Sequence, residues 1–380
     1  MLAREFTARF AVAPAGLWVA PGRVNVIGEH TDYNGGPVLP IALPHLAGVA
    51  ASPRTDGRLV LASLQVQGQA IEVDLTNIKP GKHSGWTAYP AGVAWALSQH
   101  GYQISGGATL LLDSEVPVGA GLSSSAAIEC ATGLALTGVH GITVDPLQLA
   151  LIAQHAENDF VGIPCGVMDQ MASMLCIAGH ALYLDAATLH FQQIPFDLTS
   201  AGLVLLVIDT GAPHQLADGE YANRRKTCEQ AASELNVSAL AEITLEQLPN
   251  ALMRLHDATI GPRVRHVVTE IARVKEVVAL LHLGRVREIG PLLTASHISL
   301  RDDYQVSVPQ LDIAVDAALG AGAYGARMTG GGFGGSIIAL VDVGRTDHVT
   351  KVIKEAFETH NFALPTLIES TPSSGARRLR

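Results

Sequence analysis

Val116-Pro-Val-Gly-Ala-Gly-Leu-Ser-Ser-Ser-Ala-Ala127 joins a strand-like run, 108–112, to a helix-like run, 122–136, that is apolar nearly all round (Leu122, Ala126, Ile128, Ala131, Leu134). Glycines let a backbone pass close to a ligand, and the first turn of the following helix offers unpaired N–H donors at its positive dipole end. The segment reads as a phosphate cradle that needs no lysine, or else as a glycine-rich turn with serine caps. Neither G-x-x-x-x-G-K-[ST] nor the protein-kinase catalytic signature occurs in the chain, which removes two common designs for holding nucleotide phosphates.

Outward from this loop the charge balance is lopsided. Between Lys82 and Arg224 there is no lysine or arginine, while twelve Asp and Glu occur. Any phosphate held there must rely on backbone N–H groups and a metal ion. Glu157 lies on a helical run, 146–160, that Asp145 caps and Pro146 opens, in line with Ala150, Ala153 and Phe160. A carboxylate on that apolar face has to be paired with a basic residue from a distant segment or bound to a divalent cation. Asp169 follows in Pro164-Cys-Gly-Val-Met-Asp-Gln-Met-Ala-Ser-Met-Leu-Cys176, among methionines and small residues. It is either a tuned general base or a hydrogen-bonded structural carboxylate.

Near the start, Ala20-Pro-Gly-Arg-Val-Asn-Val-Ile-Gly-Glu-His-Thr-Asp-Tyr-Asn-Gly-Gly36 packs Arg23, Glu29, His30 and Asp32 around turn glycines. Hydroxyl-rich ligands need such alternating donors and acceptors. A polar surface turn is the alternative, but the interleaved Val24, Val26 and Ile27 favour a lined pocket. A third glycine-rich element, Arg327-Met-Thr-Gly-Gly-Gly-Phe-Gly-Gly335, spells G-x-G-x-x-G at Gly330, Gly332 and Gly335. A strand-like Ser-Ile-Ile-Ala-Leu-Val follows it where a dinucleotide site needs a helix, so close backbone packing beside a site is the better reading.

The chain of 380 residues is long enough for two cores, and a division near residue 200 gives domains 1–200 and 201–380. Strands are expected at 17–20, 58–62, 70–74, 108–112, 180–184, 203–209, 326–329 and 336–341. Helices are expected at 86–100, 122–136, 146–160, 309–319 and 346–358, with a run of charged amphipathic helices over 219–299. Each half is thus α+β. The charge-poor runs 37–53 and 116–144 are interrupted by Pro, Gly or polar residues and read as core rather than membrane spans. The first ten residues carry charges of both signs and no apolar stretch of signal-peptide length, so the cytoplasm is the expected compartment. A net charge of −10 argues against nucleic acid or an anionic membrane as partner. Four cysteines without C-x-x-C spacing, and 15 histidines without H-E-x-x-H, exclude the common zinc and disulfide patterns.

Taken together, 23–36, 119–126 and 328–335, with 165–170, 219–225 and 296–303, resemble the galactokinases of the GHMP small-molecule kinase family; the likeness runs from about residue 15 to the end. The resemblance implies a two-domain α+β GHMP kinase fold, with an N-terminal ribosomal-protein-S5-like domain, a C-terminal ferredoxin-like domain and the active site between them. It implies ATP-dependent phosphorylation of the galactose C1 hydroxyl by a monomer. Arg23, Glu29, His30, Thr31, Asp32, Asp169 and Tyr221 then surround the sugar, with Asp169 and Arg23 catalytic. Gly119, Ala120, Gly121, Leu122, Ser123, Ser124 and Ser125 wrap the nucleotide phosphates, and Ser125 and Glu157 ligate Mg²⁺. Ser63, Trp86 and Tyr89 match nucleotide-side positions, although Trp86 and Tyr89 are equally readable as core aromatics. Ala120 departs from relatives that have a third loop glycine there. Thr31 favours galactose over N-acetylgalactosamine, for which the corresponding residue is commonly Ile. Ser125-Ala126 favours an enzyme over a galactose-sensing relative on the same fold.

Overall fold

The structure is a computed structural model that describes residues 1–104, 106–212, 217–257 and 259–379. A six-stranded sheet runs in the order Arg377–Arg378, Gly16–Asn25, Pro40–Pro53, Gly107–Ser114, Arg58–Ser63, Ile71–Asp74. Its neighbours are antiparallel except for Arg58–Ser63 beside Gly107–Ser114. Side chains alternate across a strand. Leu59, Leu61, Leu110 and Leu112 accordingly enter one core with Ala131, Ala135, Leu149 and Met171, while Ala62 and Leu111 point to the other face, where Phe6 of the helix Leu2–Phe10 covers them. The charge-poor run 37–53 is mostly the long strand Pro40–Pro53, a strand not foreseen because prolines interrupt it. Its pairing with Gly16–Asn25 shifts register between Pro21 and Arg23, opposite exposed Pro44, which has no N–H to contribute to a ladder.

A second, three-stranded sheet joins Pro37–Val38, His180–Asp185 and Phe191–Pro195. The third sheet is antiparallel, in the order Gly325–Thr329, Ser336–Asp342, Leu203–Asp209, Thr366–Ser370. Val204, Leu206 and Ile208 pack under the helices Ala217–Leu235, Gly261–His282, Pro309–Gly320 and Thr346–Thr359. The alternate residues Leu205, Val207, Ile338 and Leu340 share a core with Val24, Val26, Ile27 and Leu39 from the first part of the chain. Both faces of this sheet are therefore buried, and one of them is the seam on which the sugar-signature segment rests.

Two local deviations from the expected helices matter for the site. The helix after the glycine-rich loop spans Ser124–Val139 rather than starting at Leu122, because Ser123 adopts a left-handed conformation (φ 58°). The expected helix 146–160 is α-helical only over Pro146–His155 and continues as a π-helical turn, Ala156–Val161. Such turns widen the backbone and re-aim side chains, often at functional sites. Asp145 caps this helix as expected, its Oδ1 accepting from Leu147 N at 2.9 Å. Among the described residues no helix is long and apolar enough to cross a membrane.

Candidate active site

A cavity of about 380 Å³ opens where the glycine-rich loop, the π-helical turn, the start of the helix Met168–Leu175, the sugar-signature turn and the third glycine cluster meet. Arg23, Glu29, His30, Asp32, Glu157, Asp169 and Tyr221 line it, together with Gly119, Gly121, Leu122, Ser123, Ser124 and Ser125. Residues spread over nearly 200 positions of sequence are thus brought to one wall.

Asp169 stands in the first turn of its helix, where the dipole favours a negative charge. Both its oxygens are engaged: Oδ1 accepts from Arg23 Nε at 2.8 Å, and Oδ2 accepts from Arg23 Nη2 at 2.9 Å and from the Ser123 hydroxyl at 2.5 Å. Arg23 Nη1 also donates to the Gly121 carbonyl at 2.7 Å. Burial opposes the Arg23 charge, but Asp169, Glu29 and Asp32 around it raise its pKa further. A two-point guanidinium–carboxylate pair fixes the orientation of the carboxylate.

The left-handed turn at Ser123 explains its role. Instead of capping the helix, for which it makes no side-chain bond, its hydroxyl turns to Asp169. Gly119 and Gly121 have φ of 81° and 74°, whereas Ala120 is not left-handed, so its side chain brings no backbone strain. Ala120 is fully buried behind the loop, with its carbonyl accepting from Ser336 Oγ at 2.7 Å, and does not line the cavity.

Glu157, also on the cavity lining, is buried, and no ion pair to it is formed among the described residues. Its Oε2 accepts from Gln170 Nε2 at 2.6 Å and from the Cys165 thiol at 3.5 Å, and the Ser125 hydroxyl lies against it. Burial raises its pKa, with Asp169 adding to the effect. Gln170 Nε2 also reaches Glu129 Oε2 at 3.0 Å; burial first, and Glu157 second, push the Glu129 pKa well up. A hydroxyl and a carboxylate facing a cavity, the carboxylate in no ion pair among the described residues, form an oxygen donor set that suits Mg²⁺.

The sugar-signature turn is held from behind. Glu29 Oε1 accepts from Gly330 N at 2.8 Å and Thr329 Oγ1 at 3.0 Å, and Oε2 from Asn25 Nδ2 at 3.1 Å. Fully buried Arg327 reaches the Asn25 and Val26 carbonyls at 3.2 and 3.1 Å. His30 (φ 62°) places Nδ1 2.8 Å from Tyr33 Oη, and burial, with His266 and Arg224 nearby, keeps its ring neutral. Tyr221 packs against His30 with ring centroids 5.7 Å apart. Asp32 carries no ion pair among the described residues, and burial raises its pKa to about 6. Its Oδ2 sits 1.7 Å from where a Cβ on Gly166 would stand, so any side chain there would displace the Asp32 carboxylate.

Not every expected residue reaches the cavity. Thr31 is fully buried, and its hydroxyl lies 2.8 Å from the Gly28 carbonyl and 2.7 Å from that of Pro37, locking the turn rather than facing a ligand. Ser63 ends the strand Arg58–Ser63 and bonds Gln65 at 3.2 Å. Trp86 lies in the 3-10 turn Gly85–Thr87 and packs against the N-terminal core, and Tyr89 begins the helix Ala88–Gln99; none of these three lines the cavity. Conversely, Gly162, Ile163, Pro164, Cys165, Gly166 and Met168 line it without having been singled out individually. The signal available for them was their place between Glu157 and Asp169. Gly330, Gly331 and Gly332 complete the wall, as expected of backbone packed beside a site.

Comparison with known proteins agrees with this geometry. Residues 4–53 match the galactokinase galactose-binding signature, 88–176 the GHMP kinases N terminal domain and 277–359 the GHMP kinases C terminal. The galactokinase of Streptomyces coelicolor is 50% identical over 376 residues, covering 99% of this chain and 97% of that protein. That of Mycobacterium tuberculosis is 42% identical over 362 residues, covering 95% and 98%. The crystal structure of Lactococcus lactis galactokinase complexed with galactose aligns with a TM-score of 0.95 at 32% identity, covering 100% of this chain and 99% of that one. The mevalonate kinase of Methanococcus jannaschii, 16% identical with a TM-score of 0.69 over 94% and 98% of the chains, shares the fold. With a two-part α+β fold, a lysine-free glycine-rich loop and an arginine-held carboxylate in one cavity, the chain belongs to the galactokinase family of GHMP kinases.

Proposed function

We propose that this family member phosphorylates galactose with Asp169 as proton acceptor for the C1 hydroxyl and Arg23 as the group that holds it aimed. The carrying observation is the two-point Arg23–Asp169 pair on the cavity wall, within reach of the glycine-rich loop. The C1 oxygen attacks the γ-phosphorus of ATP, its proton passes to Asp169, and the bond from the γ-phosphorus to the ADP oxygen breaks. Glu29, His30, Asp32 and Tyr221 supply acceptors and donors for the remaining sugar hydroxyls. The backbone N–H groups of 119–125 and the N-terminus of Ser124–Val139 hold the nucleotide phosphates. Ser125 and Glu157 are the residues that hold Mg²⁺, which when bound neutralises phosphate charge in place of the absent lysine.

Phosphoryl transfer leaves the protein mainly positioning and electrostatics to supply. Arg23 contributes to both, since it bonds Asp169 with two nitrogens and the loop carbonyl of Gly121 with the third. We place Ser63, Trp86 and Tyr89 on the nucleotide side as outlying contacts, divide the chain near residue 200, and assign a monomer in the cytoplasm. A sugar panel with ATP and Mg²⁺, scored for ADP release and for the position of the new phosphate, tests the reading. Galactose 1-phosphate is the expected product; equal turnover of galactose, glucose and N-acetylgalactosamine would overturn the galactose pocket.

A further inference from the structure

One helix of the second half, Gly261–His282, presents a single face to the sugar-signature turn. His266, Glu270 and Val274 follow at four-residue spacing, with Ile271 beside them, so they share a stripe. Glu270 Oε1 accepts from the Gly28 backbone N–H at 3.0 Å and from Ser296 Oγ at 2.6 Å, while Oε2 accepts from Arg273 Nε at 2.8 Å. His266 Nε2 stands 3.1 Å from the Glu29 carbonyl and Nδ1 2.9 Å from Ser299 Oγ. A carbonyl only accepts, so the ring carries a proton on Nε2, while the one proton of Ser299 Oγ is contested between Nδ1 and Asp303 Oδ2, 3.2 Å away. Further along, a Cβ on Gly28 (φ 101°) would meet Val274 Cγ2 at 3.0 Å, and one on Gly36 would meet Ile271 at 2.9 Å. The helix thus grips the backbone N–H at Gly28 and the carbonyl at Glu29, the two ends of the dipeptide that leads into His30.

From this geometry we propose that Glu270 and His266 are positioning residues for galactose recognition: they fix the peptide units of Gly28 and Glu29, and through them the direction of the Glu29, His30 and Asp32 side chains. The proposal rests on the galactose reading of the cavity. Neither residue lines it, and both are fully buried, so each acts only through the turn. The bonds go to backbone atoms, so the grip does not use the side chain of residue 29, while the close approach of Val274 needs glycine at 28. Burial alone would raise the Glu270 pKa, yet Arg273, His266, Arg327 and Ser296 bring it down to about 2, so its acceptor is charged across the working pH range.

The test separates the grip from general stability. Glu270→Ala removes the acceptor for Gly28 N–H, and leaving that buried donor unpaired should raise the galactose KM about 5- to 50-fold with the ATP KM within about twofold. Glu270→Gln keeps an oxygen for Gly28 and should restore most of the galactose KM, despite losing the Arg273 pair. Arg273→Met loses the same pair without touching the turn, and should lower the Tm while leaving the galactose KM within about twofold. His266→Gln keeps an N–H near the ring Nε2 and should behave as wild type toward galactose, whereas His266→Leu should not; this pair stands in if Glu270→Ala fails to fold. Equal galactose KM in Glu270→Ala and Arg273→Met, or in His266→Gln and His266→Leu, overturns the proposal. Amide hydrogen exchange of 24–34 in the ligand-free protein gives a readout independent of substrate: it should accelerate about tenfold or more in His266→Leu, while 119–125 is unchanged. Unchanged exchange overturns the grip whatever the sugar. Wild-type inactivity on galactose with the exchange difference intact would instead overturn the galactose reading alone.

Discussion

Arg23 and Asp169, 146 residues apart in sequence, meet as a planar two-point pair, Nε to Oδ1 at 2.8 Å and Nη2 to Oδ2 at 2.9 Å. A guanidinium fork matches a carboxylate in this way and a lysine ammonium cannot. Asp169→Asn keeps the shape but cannot accept a proton, so single-turnover phosphorylation should fall by about 10²–10⁴-fold with ATP affinity retained. Arg23→Lys should lose about tenfold or more although charge is kept. Near wild-type turnover by Asp169→Asn would remove it as the base.

The Ser123 hydroxyl, 2.5 Å from Asp169 Oδ2, ties the phosphate loop to the same carboxylate. Ser123→Ala should lower kcat about tenfold, in keeping with one hydrogen bond to a charged group, while the KM for ATP changes little. If Ser123 acted only by holding phosphate, the ATP KM would rise and kcat would stay; steady-state kinetics over both substrates decides between the two.

Glu157 faces the cavity with amide, thiol and hydroxyl neighbours and forms no ion pair among the described residues. Glu157→Gln should shift the Mg²⁺ concentration for half-maximal activity upward about tenfold or more and leave galactose affinity, measured calorimetrically without nucleotide, near wild type. A superimposable Mg²⁺ titration would count against the ligand assignment.

Asp32 carries opposed demands of stability and recognition. Its pKa in the fold is raised from 3.8 to about 6, chiefly by burial, so the fold favours the protonated form. That contribution is fully present below about pH 4 and is lost as pH rises through about 6, a difference of at most about 3 kcal/mol. Asp32→Asn should therefore raise the Tm by a few degrees at pH 8 and much less at pH 4. A carboxylate is the stronger acceptor for sugar hydroxyls, so the wild-type galactose KM should climb as pH falls below about 6, and Asp32→Asn should bind galactose poorly at every pH. A Tm for Asp32→Asn below wild type at pH 8 would sink the first half; a flat galactose KM between pH 5 and 8 would sink the second.

Most of the site was legible because its chemistry is local in sequence. The signature turn, the glycine-rich loop and the carboxylates Glu157 and Asp169 each occupy a short segment with few basic residues to confuse the reading. Backbone events were less legible. Neither the left-handed turn that sends the Ser123 hydroxyl to Asp169 nor the π-helical turn at Ala156–Val161 has a periodic signature, since both depend on what packs around them. Thr31 shows the same limit, because only the fold reveals that the carbonyls of Gly28 and Pro37 lie within reach of its hydroxyl. The strand Pro40–Pro53 escaped because proline normally argues against a central strand, and here the irregular pairing opposite Pro44 accommodates it. Glu270 and His266 sit in a charged helical run where nothing distinguishes them from solvent-facing neighbours.

The bonds from Thr329 and Gly330 to Glu29 span 300 and 301 residues. A ribosome delivers the signature turn early and its anchors near the end of translation, so a nascent chain carries that turn without the groups that fix it. Closing so long a loop has an entropic cost that grows only slowly with length, but the closure cannot begin before its far end exists. Competence to recognise sugar is therefore acquired late in the birth of the molecule, and a fragment released before residue 330 would lack it however well the five strands of its large sheet that precede that point had paired.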